Sequence, residues 1–132
     1  MKKILLWLWQ LPQNLLGLFL TLNFKEVMTY DFKDGTRGNV FFNSLFGSGV
    51  SLGNYIILDS EYLHYLTILQ DSLNHEHGHQ KQSKILGPFY LIVIGLPSLL
   101  GNIYSRIFHK DSVWYYKQPW EAWADKLGGV ER

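Results

Sequence analysis

The chain contains no cysteine. That absence removes disulfides, thiolate metal sites and cysteine nucleophiles together, so any metal must be held by nitrogen and oxygen; the redox compartment stays undetermined. Charge of one sign is also missing: 12 Lys+Arg stand against 11 Asp+Glu, a net charge of +1. With no broad basic stripe, a nucleic-acid partner is not expected in spite of 16% aromatic residues. There is no glycine-rich nucleotide loop, no internal repeat and no low-complexity tract, and the glycines at 47, 49, 53, 128 and 129 read as turns. A length of 132 residues fits one domain with a modest core.

Formal charge is absent altogether from two blocks, Ile4 to Phe24 and Ile85 to Ser105, each 21 positions long. Roughly 20 apolar residues span a bilayer as helix, so both are candidate membrane segments. Gln10, Pro12, Gln13 and Asn14 interrupt the first. It reads either as one kinked span or as two short helices lying in the interface, with Trp7 and Trp9 at headgroup level; a buried core helix is the plainer alternative. A cleaved signal peptide fits less well, because the polar break falls where the apolar run should continue. The organisation expected is a membrane-associated segment over 1–25, with membrane lipid as a partner, followed by a metal-binding domain over 26–132.

Between the blocks the pattern has period two. Val27 to Phe32, Asn39 to Phe42 and Val50 to Leu58 are rich in β-branched and aromatic residues, separated by Lys33-Asp34-Gly35-Thr36-Arg37-Gly38 and Gly47-Ser48-Gly49. This predicts a short antiparallel three-stranded meander with a tight turn at Asp34-Gly35. A helix from about Ser72 to Leu86 then stops at Gly87-Pro88. The fold class is α+β.

The most informative residues lie on that helix: His75-Glu76-His77-Gly78-His79, a His-Glu-x-x-His pattern. Positions i and i+4 share a helix face, so both imidazoles reach one metal ion while Glu76 stands beside them as base for a metal-activated water. A third ligand is needed. Glu121-Ala122-Trp123-Ala124-Asp125 follows the helix-opening pair Gln118-Pro119, and Glu121 and Asp125 are again four apart. One carboxylate can bind metal and the other can orient a liganding imidazole. His77 points away from the other two, and His64 and His109 have no partner spacing; all three read as non-ligands.

Over roughly residues 72 to 129 these features resemble the gluzincin metallopeptidases, in which His-Glu-x-x-His is followed downstream by Glu-x-x-x-Asp. Gln82-Ser83, Leu86-Gly87-Pro88 and Ala124-Asp125-Lys126-Leu127-Gly128-Gly129 look like small bacterial proteins of this kind. The resemblance implies a minimal zincin-like domain, His75, His79 and Glu121 as ligands of Zn²⁺, Glu76 as general base, and Asp125 as the partner of a liganding histidine. It further implies a peptide or protein substrate, laid as an added strand along the sheet edge beside the metal helix, and the bacterial inner membrane as the place. Tyr115, Tyr116 and His109 stay open as the group that meets the developing oxyanion. The resemblance also constrains the second apolar block. A straight crossing by residues 85 to 105 would be about 30 Å long and would put the halves of the site on opposite sides of the bilayer. The block is therefore expected to be a re-entrant or interfacial hairpin, closed near Pro97, or a helix pair packed under the site. The alternative function is a non-catalytic membrane-associated metal-binding protein, to which an intact Glu76 is foreign.

Overall fold

The structure is a computed structural model that describes residues 2–24, 26–43 and 48–132, with Glu26 described by its backbone. Gly47, read above as part of a turn, lies outside the described residues. Strands β1 (Glu26–Asp31), β2 (Arg37–Phe42), β3 (Val50–Leu52) and β4 (Tyr55–Leu58) form one sheet in the order β1-β2-β4-β3. The turn between β1 and β2 falls at Asp34-Gly35 as predicted, with Gly35 at φ 87°. The antiparallel meander is not what forms. Residues 50–58 are two strands, not one, split where Gly53 takes φ 64°, and β4 rather than β3 lies beside β2, pairing with it in parallel. The sheet is mixed. Burial explains the order, because Ile56, Ile57 and Leu58 are wholly buried and so belong in a central strand, which leaves β3 as a short edge.

Helices α1 (Lys2–Trp9) and α2 (Leu11–Thr21) meet at 88°. The first apolar block is thus two short helices, and no single helix among the described residues is long and apolar enough to cross a membrane. These helices are tied into the domain: Gln13 Nε2 donates to Ser83 Oγ at 2.7 Å and to the Gly87 carbonyl at 2.8 Å, and the Asn54 N–H donates to Asn14 Oδ1 at 2.7 Å.

Helix α3 (Leu66–Leu86) begins earlier than the expected Ser72, from a Tyr65 that offers no side-chain cap, and ends at Gly87 with φ 55°. A 3₁₀ turn at Gly87–Phe89 and a π-helical turn at Leu91–Gly95 then lead into α4 (Leu96–Ile107), so that the chain bends by 120° between the arms 66–89 and 91–107. The corner therefore sits at 87–90 instead of Pro97, and α3 itself is one arm. Pro97 occupies the first turn of α4, where its missing N–H breaks no α-helical bond.

Helices α5 (Ser112–Tyr116) and α6 (Pro119–Gly128) complete the chain, with Pro119 opening α6 as expected and Gly129 closing it at φ 73°. Phe32, Val40, Phe42, Ile56, Leu58, Leu69 and Leu73 form the apolar core between sheet and α3, each full burial contributing about 1.5–3 kcal/mol. Below it α6 packs against α3. Gly128 belongs to this contact rather than to a turn: a Cβ there would lie 1.9 Å from the Asn74 carbonyl oxygen.

Candidate metal centre

Helix α3 presents His75 and His79 on one face, and α6 places Glu121 opposite them. Glu121 Oε2 lies 3.0 Å from His75 Nε2 and 3.0 Å from His79 Nε2. One ligand atom from each residue falls within 4.8 Å of the others, and all three residues are buried. Tetrahedral bonds of about 2.0–2.2 Å place ligand atoms roughly 3.4 Å apart, so each 3.0 Å gap between Glu121 and a histidine needs to open by only a few tenths of an ångström around an ion. These residues can hold a metal ion.

The outer partners are equally specific. His75 Nδ1 meets Asp125 Oδ1 at 2.7 Å, so Asp125 contacts one of the two histidines, and Arg132 Nε donates to the other carboxylate oxygen at 2.7 Å. His79 Nδ1 donates to Gln82 Oε1 at 2.6 Å, and Gln82 Nε2 in turn donates to the Trp120 carbonyl at 2.9 Å. Ser98 Oγ donates to Glu121 Oε1 and accepts a hydrogen bond of 2.9 Å from the Tyr115 hydroxyl. With both outer ring nitrogens engaged, the Nε2 atoms are the ones left to face an ion, and the Asp125 carboxylate raises the basicity of His75.

Electrostatics follow from this geometry. Burial disfavours charge on His75, but its hydrogen bonds to Asp125 and Glu121 outweigh burial and hold its pKa up at about 9. Burial likewise opposes ionisation of Glu121, yet the bonds from His75 and His79 keep it well below the usual carboxylate range. The metal-free cluster is therefore an imidazolium locked between two carboxylates. Because the folded pKa of His75 lies above its ordinary 6.5, this contact stabilises the metal-free protein fully below pH 6.5 and is lost as pH rises through about 9. Metal must displace the same proton. Its apparent affinity is expected to tighten about tenfold per pH unit between pH 6.5 and about 9 and then level off, while the melting temperature of the metal-free protein falls. Isothermal titration and thermal scans in matched buffers read both slopes.

Glu76 is not part of the trio. It is buried and its Oε2 has no hydrogen-bond partner among the described residues. Burial pushes its pKa up, against the opposing pull of His79 and His75. Its other oxygen sits against Gly49, where a Cβ would come within 2.7 Å. Glu76, His75 and His79 line a cavity of about 670 Å³ whose walls include Val50 to Leu52 of the edge strand β3, Tyr62 and Tyr90, and residues of α4. Tyr115 and Tyr116 also line it, whereas the exposed His109 does not. Burial raises both phenols, Tyr116 to about 12 and Tyr115 further, so each is a hydrogen-bond donor near neutral pH.

His77 lies on the other side of α3, away from the trio. It is buried, stacked on Phe32 with centroids 3.9 Å apart, and hydrogen-bonded to Asp34 Oδ2 at 2.8 Å and Gln80 Oε1 at 2.8 Å, a packing role that couples the β1–β2 turn to the helix. His64 is exposed, as expected. Sequence reasoning missed Gln82, Ser98 and Arg132 as partners of the site residues. Gln82 carried a usable signal, since it stands three positions after His79 on the same helix face; Ser98 and Arg132 carried none. Compared with protein-family models, with curated proteins and with solved structures, the chain matches none.

Proposed function

We propose that this chain is a zinc-dependent hydrolase of peptide bonds. The observation that carries the reading is Glu76: a buried carboxylate with one oxygen unpartnered among the described residues, beside three convergent candidate metal donors and facing a cavity. A site built only to hold a metal has no use for such a group, whose desolvation is costly unless its basicity is used. The donor set, two imidazole nitrogens and one carboxylate oxygen, is that of a catalytic zinc site with an open fourth position. Zinc bound there would supply Lewis acidity towards both the attacking water and the scissile carbonyl.

The chain's own residues supply the rest. Glu76 accepts the proton of the attacking water and returns it to the departing amine. Tyr116, or Tyr115 if it leaves Ser98, donates a hydrogen bond to the carbonyl oxygen as it gains charge. The edge strand β3 offers its backbone to an extended peptide. Asp125 and Gln82 hold the two imidazoles in the tautomer that binds metal.

Metal analysis after purification tests the first half of this reading. Wild type is expected to retain about one zinc per chain, and Glu121→Ala and His79→Ala to retain little, because two protein ligands hold the ion poorly. Wild type without stoichiometric metal after zinc loading, or Glu121→Ala binding as tightly as wild type, overturns it.

A further inference from the structure

Helix α2 is inside out. It buries Gln13, Asn14, Gly17 and Thr21 and turns Leu15, Leu16, Leu18 and Phe19 to the outside, Phe19 being 72% exposed. Helix α4 buries only Gly101 and leaves Leu96, Leu99, Leu100 and Ile103 between 45% and 58% exposed. Single exposed apolar residues mean little, but buried polar side chains backing an exposed apolar face are the reverse of a water-facing helix.

Two further observations say what covers these faces. No aspartate or glutamate occurs in residues 2–24 or 84–110, whereas Lys2, Lys3, Lys84, Arg106 and Lys110 do. The formal charges within these two segments are therefore all positive, although Asp111 follows Lys110 and lines the cavity beside it; the exposed Lys2, Lys3 and Lys84 attract anionic headgroups and repel a second copy of the same surface. The cavity of the metal centre also shares residues with these faces: Leu16, Leu96, Leu99 and Ile103 both line it and are exposed. The cavity is continuous with the apolar exterior.

We propose that the outward faces of α2 and α4 dock on an anionic lipid bilayer, with the metal-centre cavity opening onto it. Neither helix pair needs to span: each is bent, by 88° and by 120°, so α2 and α4 can lie along the interface while α3 stays packed inside the domain. If the hydrolase reading holds, the peptide cleaved is one held in or against the membrane; the docking itself does not rest on that reading.

The test uses the full chain and no turnover. Flotation with vesicles of phosphatidylcholine alone and of phosphatidylcholine mixed with phosphatidylglycerol should show strong preference for the anionic mixture. Reversal of Lys2, Lys3 and Lys84 together to glutamate should weaken that partition by at least about 10²-fold. Because the chain lacks cysteine, Phe19→Cys, Leu99→Cys and Lys126→Cys each accept one polarity-sensitive fluorophore. Anionic vesicles should shift the first two labels to the blue and leave the third, on exposed α6, unchanged. Equal flotation with both vesicle types, a Leu99 label that stays in water on vesicles, a Lys126 label that shifts with the others, or a Leu99 label already blue-shifted by self-association before lipid is added, each overturns the proposal.

Discussion

Glu76→Gln is expected to bind zinc as wild type does and to lose turnover by about 10² to 10⁴-fold, the range typical of general-base removal. Glu121 Oε2 sits 3.0 Å from each histidine Nε2 without help from Glu76, so the amide leaves the donor trio intact. Nor should the fold suffer. Among the described residues Glu76 Oε2 has no hydrogen bond to lose, and replacing a buried carboxylate by a neutral isostere relieves the desolvation that raises its pKa. The melting temperature of the metal-free variant should therefore match or exceed that of wild type. This combination, metal kept, stability kept and activity lost, separates a base from a ligand and from a structural acid. It requires a substrate, found by screening apolar and unstructured peptides with wild type. Zinc-loaded wild type that cleaves nothing across a broad peptide set, or Glu76→Gln that cleaves as fast as wild type, removes the peptidase reading and leaves a metal-binding protein.

The two pairs, His75 with His79 and Glu121 with Asp125, were legible in the sequence because an i, i+4 spacing fixes which side chains share a helix face whatever the helix packs against. His75, His79, Glu121 and Asp125 each lie where that rule puts them. What the rule cannot reach are relations between elements. The parallel pairing of β2 with β4 depends on the β3–β4 hairpin folding back to put its second strand innermost, and Gly53 was the sole local trace of that hairpin. The polar break at Gln10, Gln13 and Asn14 was visible but its purpose was not: these side chains bind Ser83, Gly87 and Asn54, all distant in sequence. Pro97 looked like the corner of a hairpin because proline breaks helices, yet it stands at a helix start, and the corner went to Gly87 with its positive φ.

Gly78→Ala is expected to damage both stability and activity, although His-Glu-x-x-His leaves its residue type free. Helix propensity favours alanine by about 1 kcal/mol, so on an isolated helix the change would stabilise. Here a Cβ at position 78 would meet the Ala124 carbonyl oxygen at 1.8 Å, and that atom is backbone of α6 and cannot rotate away. Helices α3 and α6 must separate by roughly 1.5 Å to restore ordinary contact, and strain of this kind costs about 3 kcal/mol or more, which exceeds the propensity gain. The same displacement carries Glu121 and Asp125 away from His75 and His79, whereas metal sites tolerate deviations of about 0.2 Å. Turnover should fall by about 10²-fold or more, with zinc affinity reduced in parallel and a melting temperature clearly below wild type. Gly128→Ala, which would place a Cβ 1.9 Å from the Asn74 carbonyl oxygen at the other end of the same contact, should reproduce the effect. Lys126→Ala, on the exposed side of α6, should not. Thermal denaturation and metal content of these three variants decide the matter: if Gly78→Ala melts and binds zinc as wild type does, the two helices are not in the close contact that assembles the site.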